Sequence, residues 1–170
     1  MIIKPLNNYV GMYGCSQTCV NIANRLKGLV LRKYQGMFEL VLLFGSLVYG
    51  RYTPLSDIDI GVEFTNDEAF NALPSFISDV ALELNLPEDR IDVVPLNADD
   101  LPIGLMYDAV VRGLPIYVRD WGKYVYEKVK VFSEYADFQV FLRTKGIKDL
   151  YLKSLRRILY EQDKRLSSPH

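Results

Sequence analysis

The stretch from Phe38 to Glu63 constrains this 170-residue chain more than any other. An apolar run, Phe38 to Phe44, stops at Gly45-Ser46, and a loop punctuated by Gly50 and Pro54 leads into a second strand-like run that carries Asp57 and Asp59. Successive side chains of a strand point to opposite faces, so Asp57 and Asp59 project together while Ile58 and Ile60 project into the core. Two carboxylates side by side repel unless a cation lies between them. Hard divalent ions such as magnesium take oxygen ligands and keep waters and phosphate oxygens in their shell, which suits one or two carboxylates at an open position. The layout is that of a metal-dependent phosphate site.

Gly45-Ser46 supplies the other half. A chain that turns from the strand into a short helical turn over Ser46 to Tyr49 leaves backbone N–H groups pointing outward, and these attract phosphate. Gly45 lets the backbone approach closely, and Ser46 adds a hydroxyl donor. Alone, a Gly-Ser pair or an Asp-x-Asp on a solvated strand face says little. The combination carries the reading.

This stretch resembles the nucleotidyltransferase superfamily typified by DNA polymerase beta, and within it the minimal nucleotidyltransferases (MNT). Gly45, Ser46, Gly50, Asp57 and Asp59 match the pattern residue by residue, with Tyr49 where members carry Arg or Tyr. The resemblance covers roughly residues 20 to 118. It implies an α/β (α+β) polymerase-beta-like fold, a small mixed sheet flanked by helices, with residues 1–118 as the nucleotidyltransferase domain and 119–170 as a C-terminal helical extension.

A third carboxylate on another strand completes the family's pattern. Arg90-Ile91-Asp92-Val93-Val94-Pro95-Leu96 reads as that strand, and a carboxylate among isoleucine and valine is costly to bury without a partner. Asp92 matches the third position; the alternative is an edge-strand aspartate facing solvent. By resemblance, Asp57, Asp59 and Asp92 are the metal-holding and catalytic residues, for two magnesium ions. Gly45 and Ser46 hold the phosphates of ATP, the nucleotide donor. Asp92 also helps accept the proton of the attacking hydroxyl.

The resemblance extends to partners. Small MNT proteins are often antitoxins of HEPN-domain ribonuclease toxins, and some transfer AMP to a tyrosine of that partner. The implied function is AMP transfer from ATP to a hydroxyl, as an antitoxin. Two alternatives stand beside it: a catalytically silent antitoxin that acts by binding alone, and a nucleotidyltransferase that modifies a small molecule.

Composition bounds the rest. Hydrophobic residues make up 49% of the chain and charged residues 24%, which excludes disordered and fibrous classes. Met1 to Val10 holds one lysine and no long apolar region, so no signal peptide, no membrane span and a cytoplasmic address are expected. Cys15 and Cys19, four apart on an expected helix, read as reduced structural thiols, and the single histidine, His170, removes any histidine-based triad. The net charge of −1 hides an asymmetry: residues 1–118 carry 8 Lys and Arg against 14 Asp and Glu, and residues 119–170 carry 12 against 7. The basic tail offers a surface for an acidic partner or RNA, or is a solvated helical face; a homo-oligomer is a further candidate assembly.

Around these motifs the periodicity predicts a helix over 15–35 with Arg25, Lys27, Arg32 and Lys33 toward solvent. A helix capped by Thr65 or Asn66 follows, with a break at Pro74. Another opens at Asn97, Asp99 and Asp100 and runs to Gly113, and Leu114 to Val118 forms a short strand. Two tail helices follow, over 121–141 and 147–165. In the first, Val125, Val129, Phe132 and Tyr135 form an apolar stripe read as core or subunit contact.

Overall fold

The computed structural model describes residues 15–147. Helix α1, Gln17–Lys33, starts at Ser16, whose hydroxyl caps the Cys19 N–H. Strand β1, Phe38–Phe44, leads into a single helical turn, α2, Gly45–Val48. Strand β2, Ile58–Phe64, precedes two helices, α3, Asp67–Phe70, and α4, Leu73–Leu84. A 3-10 turn, Glu88–Arg90, runs into β3, Ile91–Pro95, and α5, Ile103–Met106, continues into one π-helical turn, Tyr107–Val111. Strand β4, Leu114–Val118, and helix α6, Trp121–Thr144, follow.

The sheet order is β3-β2-β1-β4, antiparallel except for the parallel pair β2–β3. It is the expected small mixed sheet flanked by helices. Strand β1 is central and apolar on both sides, as a strand covered on both faces must be. A bulge between Phe38 and Leu40 turns Phe38 to the side of Val41 and Leu43, against α1 and α4. Leu40, Leu42 and Phe44 face the other way, toward Val110 of the π turn and Tyr124 and Val131 of α6. On the first side Phe38 is fully buried, with ring centroids 4.9 Å from Phe76, 5.3 Å from Phe64 and 5.7 Å from Tyr34. Each such side chain contributes roughly 1.5–3 kcal/mol of hydrophobic stabilisation.

Several expectations are corrected and others sharpened. Cys15 and Cys19 are joined in a disulfide. Cys15 lies outside the helix, before the extended cap residue Ser16, and the two Cα atoms are 5.5 Å apart, within disulfide range. The cations of α1 are exposed but not merely solvated: Arg32 pairs with Glu83 at 2.7 Å and Lys33 with Asp79 at 2.7 Å, tying α1 to α4. Asn66 is the cap of α3, its side chain accepting from the Ala69 N–H at 2.8 Å. The helix break precedes Pro74, which sits in the first turn of α4 where its missing N–H costs nothing. Pro102, rather than the Asn97–Asp100 segment, introduces α5.

The chain divides into two compact units, the first ending at Phe132 and the second starting at Ser133. In the first, α6 buries Tyr124 and Val131, and the Tyr124 hydroxyl donates to the Val110 carbonyl at 3.2 Å. Trp121, Tyr124, Lys128 and Val131 follow helical spacing, one position off the stripe read from sequence. Val125, Val129 and Phe132 are instead more than half exposed. In the second unit, α6 runs on from Ser133 to Thr144, whose hydroxyl donates to the Val140 carbonyl at 2.8 Å, and Gly146 follows at a φ of +62°. The tail helix expected over 147–165, and the N-terminal segment used to judge a signal peptide, lie outside the described residues apart from Ile147. No helix among the described residues is long and apolar enough to cross a membrane.

Candidate functional site

Strand register brings the aspartates together. In the parallel pair, Ile58 faces Ile91 and Asp59 faces Asp92, so both isoleucines enter the core and both aspartates share the opposite side. Asp57 precedes β2 by one residue and falls on the same side as Asp59. On the other flank, Phe44 at the end of β1 is the antiparallel partner of Asp59, which sets Gly45 against that carboxylate. Gly45 has a φ of +69°, and a Cβ there would land inside the Asp59 carboxyl group. Only glycine admits that approach.

Asp59 is the most perturbed of the three. Burial pushes its carboxyl up to about 6, and the charges of Asp92 and Asp57 push the same way, while hydrogen bonds from the backbone N–H groups of Ser46 and Asp59 oppose them. The Ser46 amide is therefore aimed at Asp59. Asp92 lies on the edge strand and is exposed, as the sequence alternative had it, yet the register still sets it beside Asp59.

Asp57 has a partner that the sequence reading passed over. Arg90 donates from Nε to Asp57 Oδ1 at 2.8 Å and from Nη2 to the carbonyl oxygens of Pro54, at 3.0 Å, and Ser56. The signal was present as a cation two residues before Asp92, hence on the same side of the strand. Tyr49 is anchored as well. Its hydroxyl lies 3.2 Å from Asp108 Oδ1, the Arg112 guanidinium sits 4.0 Å from the ring centroid, and burial followed by the Asp108 charge pushes the phenol up to about 12. Arg112 also pairs with Asp108 at 3.1 Å. The π-helical turn thus fastens the end of the Gly45–Tyr49 segment.

The donor set fits a divalent cation. Three carboxylates share one side, and Asp59 bears the cost of holding like charges together, a cost that a hard cation removes. Among the described residues no three acidic, histidine or cysteine side chains converge into a ready metal cage. A separate groove of about 200 Å³, lined by Leu40, Glu63, Leu96 and Met106 among others, includes none of the three aspartates.

Residues 29–121, more than half of the chain, match the family model described as polymerase beta, nucleotidyltransferase. No curated protein matches the chain by sequence. Solved structures do. One is a toxin–antitoxin crystal structure with AMP-PNP, at 23% identity and a TM-score of 0.58 over 76% of this chain and 98% of that one. A second is the toxin–antitoxin MntA–HepT, at 21% identity and 0.54 over 77% and 97%. A third is the tri-AMPylated Shewanella oneidensis HEPN toxin in complex with MNT antitoxin, at 19% identity and 0.52 over 76% and 98%. At such identities the likeness speaks for the fold alone.

Proposed function

The chain belongs to the polymerase beta nucleotidyltransferase family, and from that premise we propose that it transfers AMP from ATP to a tyrosine hydroxyl of a partner HEPN toxin and so acts as an antitoxin. The register that sets Asp59 beside Asp92, with Gly45 packed on Asp59, is the observation that carries the enzymatic part. The antitoxin part is supported by the structural relatives, which are toxin–antitoxin complexes, one with AMP-PNP and one with an AMPylated toxin.

In this reading Asp57, Asp59 and Asp92 hold two magnesium ions, and Gly45 and Ser46 receive the outer phosphates of ATP. The ions supply charge neutralisation for an in-line displacement. The acceptor oxygen bonds to the α-phosphorus, the bond from that phosphorus to the bridging oxygen breaks, and pyrophosphate leaves. A tyrosine hydroxyl has a pKa of about 10, so its proton needs an acceptor at neutral pH. Asp92, exposed beside Asp59, takes it. Residues 1–118 are the catalytic portion in this reading, and 119–170 an extension beyond it. An enzyme that consumes ATP for a ribonuclease partner works in the cytoplasm.

The test is transfer of labelled AMP from ATP and magnesium to the product of the adjacent gene, with Asp57→Ala/Asp59→Ala alongside. Label that depends on both aspartates supports the reading. Suppressed toxicity without label, in both proteins, replaces it with neutralisation by binding.

A further inference from the structure

The turn that carries Asp57 is closed twice. Within itself, Ser56 N–H donates to the Thr53 carbonyl at 2.9 Å and Thr53 N–H to Ser56 Oγ at 3.0 Å. From outside, one guanidinium holds it: Arg90 reaches the carbonyls of Pro54 and Ser56 and the carboxylate of Asp57 together. The Arg90 side chain is only 21% exposed, against 57% for Asp57, so the cation is the better-buried member of the pair. Asp57 and Arg90 each lie one residue before the first paired residues of β2 and β3, Ile58 and Ile91. Their ion pair therefore sits just ahead of the Asp59–Asp92 pair, which follows two residues on.

We propose that Arg90 is a positioning residue, which fixes the Asp57 carboxylate and its turn so that the acidic pair is oriented before a divalent cation arrives. The inference rests on the metal-dependent reading above. Three features favour positioning over a simple surface ion pair. Two of the three acceptors are backbone carbonyls, which a role limited to charge balance does not need. The fork of donors on a planar guanidinium matches three acceptors at once, and a lysine ammonium has no such fixed geometry. The contact to Asp57 uses Oδ1, and a carboxylate has a second oxygen to give a cation.

Outer partners of ligating groups typically change metal affinity by about 10- to 100-fold when removed. The test is Mn2+ binding to the nucleotide-free full chain, followed by calorimetry, for the unsubstituted protein, Arg90→Met and Arg90→Lys, with hydrogen exchange of the Ser56 amide as a second readout. Arg90→Met should weaken Mn2+ binding by about tenfold or more and speed Ser56 exchange, with Arg90→Lys between it and the unsubstituted chain. Should Arg90→Met fail to fold, Arg90→Lys decides on the same two readouts. Mn2+ binding that is unchanged or tighter in the variants, or Ser56 exchange that does not change, overturns the inference alone. An unsubstituted chain that binds no Mn2+ overturns the metal reading and the inference with it.

Discussion

Gly45 is packed so closely on Asp59 that the backbone at one residue occupies the space any side chain there would need. Two independent demands meet at this glycine, a φ of +69° and the contact itself. Gly45→Ala is expected to cost about 1–2 kcal/mol for the left-handed backbone alone, and more for the carboxylate it displaces. AMP transfer should fall by far more than stability does, because the displaced group is Asp59. Urea melts beside labelled-AMP transfer separate the two; equal losses would make Gly45 structural only.

Phe38 anchors the other side of the sheet from within the ring cluster of Tyr34, Phe64 and Phe76. Its full burial predicts that Phe38→Ala destabilises the chain by about 3–5 kcal/mol, the usual cost of deleting a buried aromatic ring. Chemical denaturation gives the value. A cost under about 1 kcal/mol would mean that the neighbours refill the space.

What the sequence could reveal followed from local rules. Alternation around Ile58 and Ile60 put Asp57 and Asp59 on one side, and the Gly-Ser after an apolar run marked the end of β1. The register of Asp59 with Asp92 was not readable, since it depends on how β2 and β3 pair across residues far apart in sequence. The place of Arg90 two residues before Asp92 was legible, but its three acceptors, all more than thirty residues away, were not. On α6 the period was legible, but the core face runs through Tyr124, which finds the Val110 carbonyl, and leaves Val125, Val129 and Phe132 outside the core. The disulfide depended on the helix starting after Ser16, which leaves Cys15 outside it, and spacing alone does not show that start.

That disulfide closes a loop of only five residues, Cys15 to Cys19. A loop so short removes little freedom from the unfolded chain, so reduction should cost about 2 kcal/mol and leave the fold intact. Melting with and without dithiothreitol measures it. Complete unfolding on reduction would assign the bridge a larger role than loop closure gives it.

The carboxyl of Asp59 sets a pH dependence with a definite sign. Its folded-state value is about 6 against an ordinary 3.8, through burial first and then the charges of Asp92 and Asp57. Between these values the native chain holds a proton that the unfolded chain has released, so stability of the metal-free protein falls as pH rises from about 4 to 6. Asp59 is only partly buried, and solvent screening reduces the effect to about 1 kcal/mol. Asp79, held below the usual range by hydrogen bonds from Lys33 and Tyr34, contributes with the opposite sign. The difference between the unsubstituted chain and Asp59→Asn isolates the first group. In EDTA, Asp59→Asn should be the more stable at pH 7 and the difference should shrink toward pH 4, as read from urea melts at each pH. A difference that stays constant over that interval would mean that Asp59 titrates as an ordinary exposed carboxylate, and that the three aspartates do not strain one another without a cation.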